Sequence, residues 1–220
     1  MSIVFKKRIV TSIALFTLMI LMFLYTFVLI SSVIIIAVIA WIEFYALISK
    51  IFKISNIKHR ILRFLYKSIS LMYLFLLVYL IIATQLKNSN LDMVIIYSIL
   101  VSIMTDIGGL VVGKNLKGKK LTKISPNKTI TGSIGSFIFS LFLVPFFMLD
   151  FENINLFTLI LFTLFISLIS QLGDLFISFL KRKAKVKDTS DLLPGHGGVL
   201  DRIDGIIFTI PVTFLIFFKF

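Results

Sequence analysis

The 220-residue chain contains no cysteine, which excludes a disulfide framework and any thiolate chemistry. Acidic residues are scarce, 10 against 23 lysines and arginines, so the formal net charge is +13. In a soluble protein that imbalance would point to nucleic acid. Here 59% of the residues are hydrophobic, well above the roughly 45–50% of soluble domains. The excess of bases is therefore read as membrane-protein loops on one side of a bilayer, plus whatever anion a site holds. No nucleic-acid partner is expected. No small-residue cleavage site follows MSIVFKKRIV, so the first apolar run is read as a retained anchor. There is no internal repeat, heptad seam or low-complexity tail, and one compact membrane domain is expected at this length.

What is present is a series of long apolar stretches. From Ile9 to Ile48, 40 residues carry one charge, Glu43. At about 1.5 Å of rise per residue this is roughly twice a ~30 Å hydrocarbon core, which predicts a helical hairpin turning near Tyr25 to Ser32 although no Pro or Gly marks the turn. Further apolar segments lie at about 68–86, 92–113, 132–149, 154–180 and 203–219. The expectation is an all-α, polytopic integral membrane protein of about seven transmembrane helices with a cytoplasmic N-terminus. Lys and Arg gather at 6–8, 50–67, 114–128 and 181–187, with Arg202 nearby. Seven crossings put all of these on one side, as the positive-inside tendency requires. Residues 50–67 alternate basic and apolar residues at helical spacing and read as a short interfacial basic helix. The expected division is an N-terminal hairpin and basic segment over 1–67, then a catalytic membrane domain over 68–220 with cytoplasmic loops 114–131 and 181–202.

The polar island SFLKRKAKVKDTSDLLPGHGGVLDRID, residues 178–204, interrupts this pattern. It combines the cations Lys181, Arg182, Lys187 and Arg202 with a Pro-Gly-His-Gly-Gly turn and the acids Asp188, Asp191, Asp201 and Asp204. Gly195, Gly197 and Gly198 permit a backbone turn that approaches a phosphate closely. Asp106 in TDIGG and Asp174 in QLGD fall near the same membrane boundary in the seven-crossing count. Acids at such a boundary are functional candidates by default. Clustered carboxylates repel one another unless a cation is present, and an all-oxygen set favours magnesium over zinc. The expected metal set is Asp106, Asp174, Asp201 and Asp204, for Mg2+ alone or with a second cation. A second element, KNLKGKKLTKISPNKTIT at 114–131, presents Lys128 beside Ser125 and Thr129, which suits a phosphate. Blander roles fall to Lys183 and Lys185 (topology), Asp191 (a loop acid or cap), Glu43 (a helix-to-helix hydrogen bond), and Asp150 and Glu152 (solvent-facing).

Ser178-x-x-Lys181-Arg182, Lys187-Asp188, Pro194-Gly195-His196-Gly197-Gly198 and Asp201-Arg202-Ile203-Asp204, in this order and spacing, resemble the signature of the phosphatidate cytidylyltransferases, or CDP-diacylglycerol synthases. Asp106-Ile107-Gly108, Lys123-Ile124-Ser125-Pro126-Asn127-Lys128-Thr129 and Leu172-Gly173-Asp174 also look like family elements. The likeness is strong from about Thr105 to Gly205, and before that only Glu43-Phe44-Tyr45 is similar. One departure stands out: Ile130-Thr131-Gly132 follows the Ser-Pro-x-Lys-Thr run, where the family usually has an acid before the glycine. The resemblance implies transfer of CMP from CTP to phosphatidic acid, giving CDP-diacylglycerol and pyrophosphate with magnesium. Lys181, Arg182, Lys187, Asp188, His196 and Arg202 would then be catalytic. Ser125, Lys128, Thr129, Gly195, Gly197 and Gly198 would bind substrate, and Asp106, Asp174, Asp201 and Asp204 would hold metal. It further implies a homodimer in the bacterial inner membrane with its active site facing the cytoplasm. Two alternatives are a related enzyme acting on another lipid or polyprenyl phosphate, and a cation-binding transporter. Against the transporter, the acids fall at one face rather than midway, and no paired broken helices are seen.

Overall fold

The computed structural model describes residues 3–53, 56–87, 91–122, 124–151 and 154–217; Lys123 and Glu152 lie outside the described residues. Among the described residues there are helices and no strand. The described residues form nine helices in order: α1 (Ile3–Leu24), α2 (Thr26–Ile51), α3 (Ile57–Lys87), α4 (Leu91–Leu116), α5 (Ile130–Leu141), α6 (Val144–Phe147), α7 (Leu156–Lys183), α8 (Leu200–Ile203) and α9 (Ile206–Phe217). Among the described residues five stretches are long and apolar enough to cross a membrane: Thr26–Ile51, Ile57–Gln85, Met93–Leu116, Ile130–Phe147 and Leu156–Lys183. Ile9–Met22 and Ile206–Ile216 are shorter apolar helices at the first and last of the expected segments. The protein is a multi-pass, all-helical membrane protein. The chain separates into two compact units, one of Met1–Lys87 with Leu180–Ile203, the other of Asn88–Phe179 with Asp204–Phe220.

In the first unit Tyr25 is a single extended residue, φ −130° and ψ 110°, between α1 and α2. Thr11 and Ser12 of α1 touch Pro194 and His196, while Glu43 of α2 touches residues 189–200 of the same loop. A straight helix would hold residues 12 and 43 about 45 Å apart, so the chain must bend sharply at Tyr25, within the window expected for the hairpin turn. The basic stretch from Ile57 is not a separate helix. It runs unbroken into the apolar segment as α3, because neither Pro nor Gly occurs between residues 57 and 87 to interrupt it. Phe52 stacks on Tyr66, ring centroids 5.5 Å apart, and joins the end of α2 to this basic end of α3.

In the second unit the core is built around Tyr97, which is fully buried. Its ring meets Phe147 at 5.0 Å and Phe151 at 5.4 Å, and its hydroxyl lies 2.5 Å from the Thr163 hydroxyl. Farther along α4, small hydroxyls pair between helices: Ser98 with Thr213 at 2.7 Å, Ser102 with Ser170 at 2.7 Å, and Thr105 with Ser167 at 2.8 Å. Apolar side chains gain little by leaving lipid for protein, so close backbone approach and such hydroxyl pairs are what hold membrane helices together. α4 and α5 carry the first device furthest. A Cβ on Gly108 would stand 2.5 Å from the Gly135 carbonyl oxygen, and one on Gly132 would stand 2.8 Å from that of Gly109.

Candidate functional site

The polar island forms an ordered loop in the first unit. α7 ends in a Schellman closure, with Lys185 at φ 57°, the Lys185 amide donating to the Arg182 carbonyl (3.1 Å) and the Val186 amide to that of Lys181 (3.0 Å). Beyond it, Leu193-Pro194-Gly195-His196 makes a tight turn in which the His196 amide donates to the Leu193 carbonyl at 2.8 Å. Proline at the second position and Gly195 at φ 80° at the third are what a type II turn demands, and Gly197 is also left-handed at φ 83°.

Two carboxylates organise this loop. Glu43, 4% exposed, accepts from the Thr189 hydroxyl (2.9 Å), the Ser190 hydroxyl (2.5 Å), the Val199 amide (3.0 Å) and the Leu200 amide (2.8 Å). Asp201 accepts from the Lys181 ammonium at 2.6 Å on one oxygen. Its other oxygen takes the Thr189 amide (2.8 Å), the Thr189 hydroxyl (2.9 Å) and the Gly198 amide (3.0 Å). Burial opposes ionisation of Asp201, but the Lys181 ammonium and the two amides outweigh it and hold the carboxyl below the ordinary carboxylate value. The Arg202 guanidinium donates to the His196 carbonyl oxygen from both Nε (3.1 Å) and an η nitrogen (2.5 Å). The His196 ring lies 3.4 Å from the Ser12 hydroxyl through Nε2, and its buried Nδ1 has no partner. Lys187, Asp188 and Arg182 are exposed beside this framework.

The second group lies in the second unit. Residues 114–131 fold back as a small hairpin: the Leu121 amide donates to the Lys128 carbonyl at 2.8 Å and the Ile130 amide to that of Lys119 at 2.9 Å. Pro126 and Asn127 occupy its tip, closed by the Lys128 amide on the Ser125 carbonyl at 3.1 Å. Thr129 caps α5, its hydroxyl accepting from the Gly132 amide at 3.0 Å. The hairpin roofs a cavity of about 610 Å³ whose walls include Asp106, Ser125, Lys128, Thr129, Ser133, Gln171 and Asp174. The Lys128 ammonium pairs with the Asp174 carboxylate, both half-buried. Ser133 donates to the Gln171 side-chain oxygen at 2.5 Å, leaving the buried Gln171 Nε2 with no partner.

Asp204 follows α8, buried, with one oxygen accepting from the Gly205 amide at 2.9 Å. Burial first, then the charges of Asp174 and Asp106, push its carboxyl up to about 8. Among the described residues no three acid or histidine side chains are placed closely enough to ligate one ion as they stand. Burial together with two acidic neighbours keeps this carboxyl neutral, and the three acids offer only oxygen donors, the set a hard divalent cation takes. In donor chemistry, though not in their present spacing, Asp106, Asp174 and Asp204 fit a hard divalent cation. Asp201 lies in the first unit, where it accepts from the Lys181 ammonium and the Thr189 and Gly198 amides and competes with Glu43 for the single hydrogen of the Thr189 hydroxyl.

Sequence reasoning missed several members of these groups. Glu43 does bond another helix, accepting the Leu200 amide at the start of α8, and it also holds the loop that precedes that helix. Thr189 and Ser190 in the loop, and Ser133 and Gln171 on apolar helices, carry no motif that would mark them in the sequence. The usable signal was polarity out of place, a carboxylate in a 40-residue apolar run and an amide one turn before Asp174.

The arrangement defines a class: a polytopic helical membrane protein with polar groups and clustered acids on loops and helix ends, suited to phosphate chemistry. Residues 2–220 match the profile of the cytidylyltransferase family, and the chain belongs to that family. It is 47% identical over 121 residues to the phosphatidate cytidylyltransferase of Staphylococcus haemolyticus (strain JCSC1435), covering 54% of this chain and 46% of that protein. To the phosphatidate cytidylyltransferase of Bacillus subtilis (strain 168) it is 44% identical over 124 residues, 56% of this chain and 46% of the relative. The matched stretch thus spans about half the length of these relatives.

Proposed function

We propose that this protein is a phosphatidate cytidylyltransferase, joining CTP to phosphatidic acid to give CDP-diacylglycerol and pyrophosphate. The observation that carries this reading is the pairing of Lys128, from the Ser-Pro-Asn-Lys-Thr turn, with Asp174 across a polar cavity in a membrane protein of the cytidylyltransferase family. An oxygen of the phosphatidate phosphate attacks the α-phosphorus of CTP, a new phosphoanhydride bond forms, the α–β bond breaks and pyrophosphate leaves. Such a transfer asks the protein mainly to align phosphates and neutralise charge. Lys128 and Ser125 contact phosphate in this cavity, and Thr129 holds the hairpin against α5. Lys181, Arg182, Lys187 and Arg202 are the cations of the island, His196 and the glycine turn present backbone and ring to phosphate, and Asp188 is the exposed acid next to Lys187. Asp106, Asp174 and Asp204 would hold magnesium, which supplies charge neutralisation at the phosphates. Lys181 is positioned by Asp201, and the loop by Glu43. The enzyme works as a homodimer in the bacterial inner membrane, with these loops facing the cytoplasm where CTP is found.

The test is incorporation of labelled CTP into lipid by purified protein given phosphatidate. Magnesium-dependent product, abolished by chelation and reduced about a hundredfold or more by Asp174→Asn, is the expected result, in the range for loss of a group stabilising developing charge. A folded wild-type protein that yields no lipid product with phosphatidate, yet labels another lipid or polyprenyl phosphate, would redirect the assignment.

A further inference from the structure

Away from the residues assigned to the reaction, α2 and α3 enclose two cavities that meet end to end in the first unit. One, about 480 Å³, is lined almost wholly by hydrocarbon: Ile34 and Val38 on α2 face Leu74, Val78 and Ile82 on α3. The other, about 390 Å³, is lined by Tyr45, Arg60, Arg63 and Lys67. Trp41 and Leu71 line both, so the two adjoin at these side chains. Lys67 is only 9% exposed, and its ammonium sits 3.1 Å from the centre of the Tyr45 ring. Arg63 donates to the Ser49 hydroxyl at 2.8 Å, and the Trp41 indole donates to the Lys67 carbonyl at 3.4 Å. Among the described residues, none of the three cations is paired with a carboxylate.

A buried ammonium whose company is the ring and hydroxyl of one tyrosine is short of an anion, and the half-buried Arg63 beside it has only neutral hydroxyl partners. The trough beyond runs about 16 Å along α3 from Leu71 to Ile82, the reach of most of an acyl chain. Free phosphate would satisfy the head pocket and leave the trough empty; a neutral lipid would do the reverse. We propose that the α2–α3 groove binds one anionic glycerophospholipid, its phosphate among Arg60, Arg63 and Lys67 and an acyl chain along the trough. Basic pockets between transmembrane helices recognise anionic headgroups in this way. The site needs no nucleotide and makes no use of the cavity roofed by the 114–131 hairpin.

Trp41 is the sole tryptophan of the chain and lies where the two cavities join, so its fluorescence reports occupancy directly. Protein reconstituted in phosphatidylcholine is titrated with phosphatidylglycerol carrying brominated chains, which quench tryptophan on contact. Brominated phosphatidylcholine serves as the control. The expected result is quenching at low mole fraction by the anionic lipid, with a preference of about fivefold for each cation engaged. Arg60 is exposed, so Arg60→Gln leaves the fold intact and lowers that preference about fivefold; Lys67→Gln lowers it further. Equal quenching by both lipids would reduce the groove to ordinary lipid contact and overturn the proposal. Absence of quenching by either would overturn it too, showing the groove covered by a second copy or another protein segment. Displacement of the brominated lipid by millimolar inorganic phosphate would make it a free-phosphate pocket instead.

Discussion

Replacing Glu43 by glutamine tests the claim that one buried carboxylate organises the loop that carries most of the family signature. The side chain keeps its size, but one acceptor oxygen becomes an NH2 that faces donors. If the new amide replaces the oxygen nearest Ser190 and Val199, those two donors lose their acceptor. If it replaces the other, Thr189 and Leu200 do. Two charge-assisted bonds at about 1.5–3 kcal/mol each put the loss at roughly 3–6 kcal/mol, enough to raise the open population of the loop more than a hundredfold. Rotation of the two hydroxyls recovers part of it, since Thr189 also bonds Asp201 at 2.9 Å. Hydrogen exchange should show the Val199 and Leu200 amides losing protection about a hundredfold, while amides in the middle of α4 stay unchanged. CTP incorporation should fall in parallel. Full protection of those two amides in a folded Glu43→Gln protein would refute the reasoning, whatever the activity.

Three further outcomes are expected. Gly198→Ala would place a methyl group 2.6 Å and 2.7 Å from the two oxygens of Glu43, so it should destabilise by about 2–3 kcal/mol in thermal unfolding; an unchanged Tm would count against the packing described. Asp201 has its folded pKa below the ordinary value of 3.8, so its pairing contributes fully above that value and fades as pH falls through the lowered one. Acid unfolding of Asp201→Asn should accordingly be flatter below about pH 4 than that of the wild type, and parallel curves would show that the pairing contributes nothing. Gln171→Leu removes both an amide nitrogen that has no partner and the acceptor of the Ser133 hydroxyl, so stability should fall by about 1 kcal/mol, while kcat/KM for CTP drops about tenfold because the cavity loses a donor; unaltered kinetics would assign Gln171 to structure alone.

The membrane architecture was legible because hydropathy and charge placement are local properties. The 40-residue apolar run demanded a break, and Tyr25 lies in the expected window. The basic stretch of 57–67 misled in one respect: its amphipathic spacing suits a helix lying on a surface equally well, and only the unbroken backbone shows that it continues into α3. Asp106, Asp174 and Asp204 could be picked out because acids are costly near a bilayer. Asp201 looked the same in sequence, yet its environment is an ammonium and backbone amides, which no spacing rule reports. Glu43 was hardest to read, since its partners lie 146 to 157 positions away. The glycines of α4 and α5 were noticed for their motif at Gly108, but their work as a contact surface between helices emerges only from their approach in three dimensions.

The long separation between Glu43 and its donors has a consequence for biogenesis. A ribosome adding about 5–20 residues per second needs roughly 7–30 s to reach Thr189 after making Glu43. For that interval α2 carries an acidic group in a membrane helix with none of the four donors that will later surround it. The nascent chain therefore passes through a stage in which its second helix is poorly matched to lipid, and synthesis of the loop ends that stage. A chain cut short before residue 189 never leaves it, because every donor to the Glu43 carboxylate named above lies at residues 189–200.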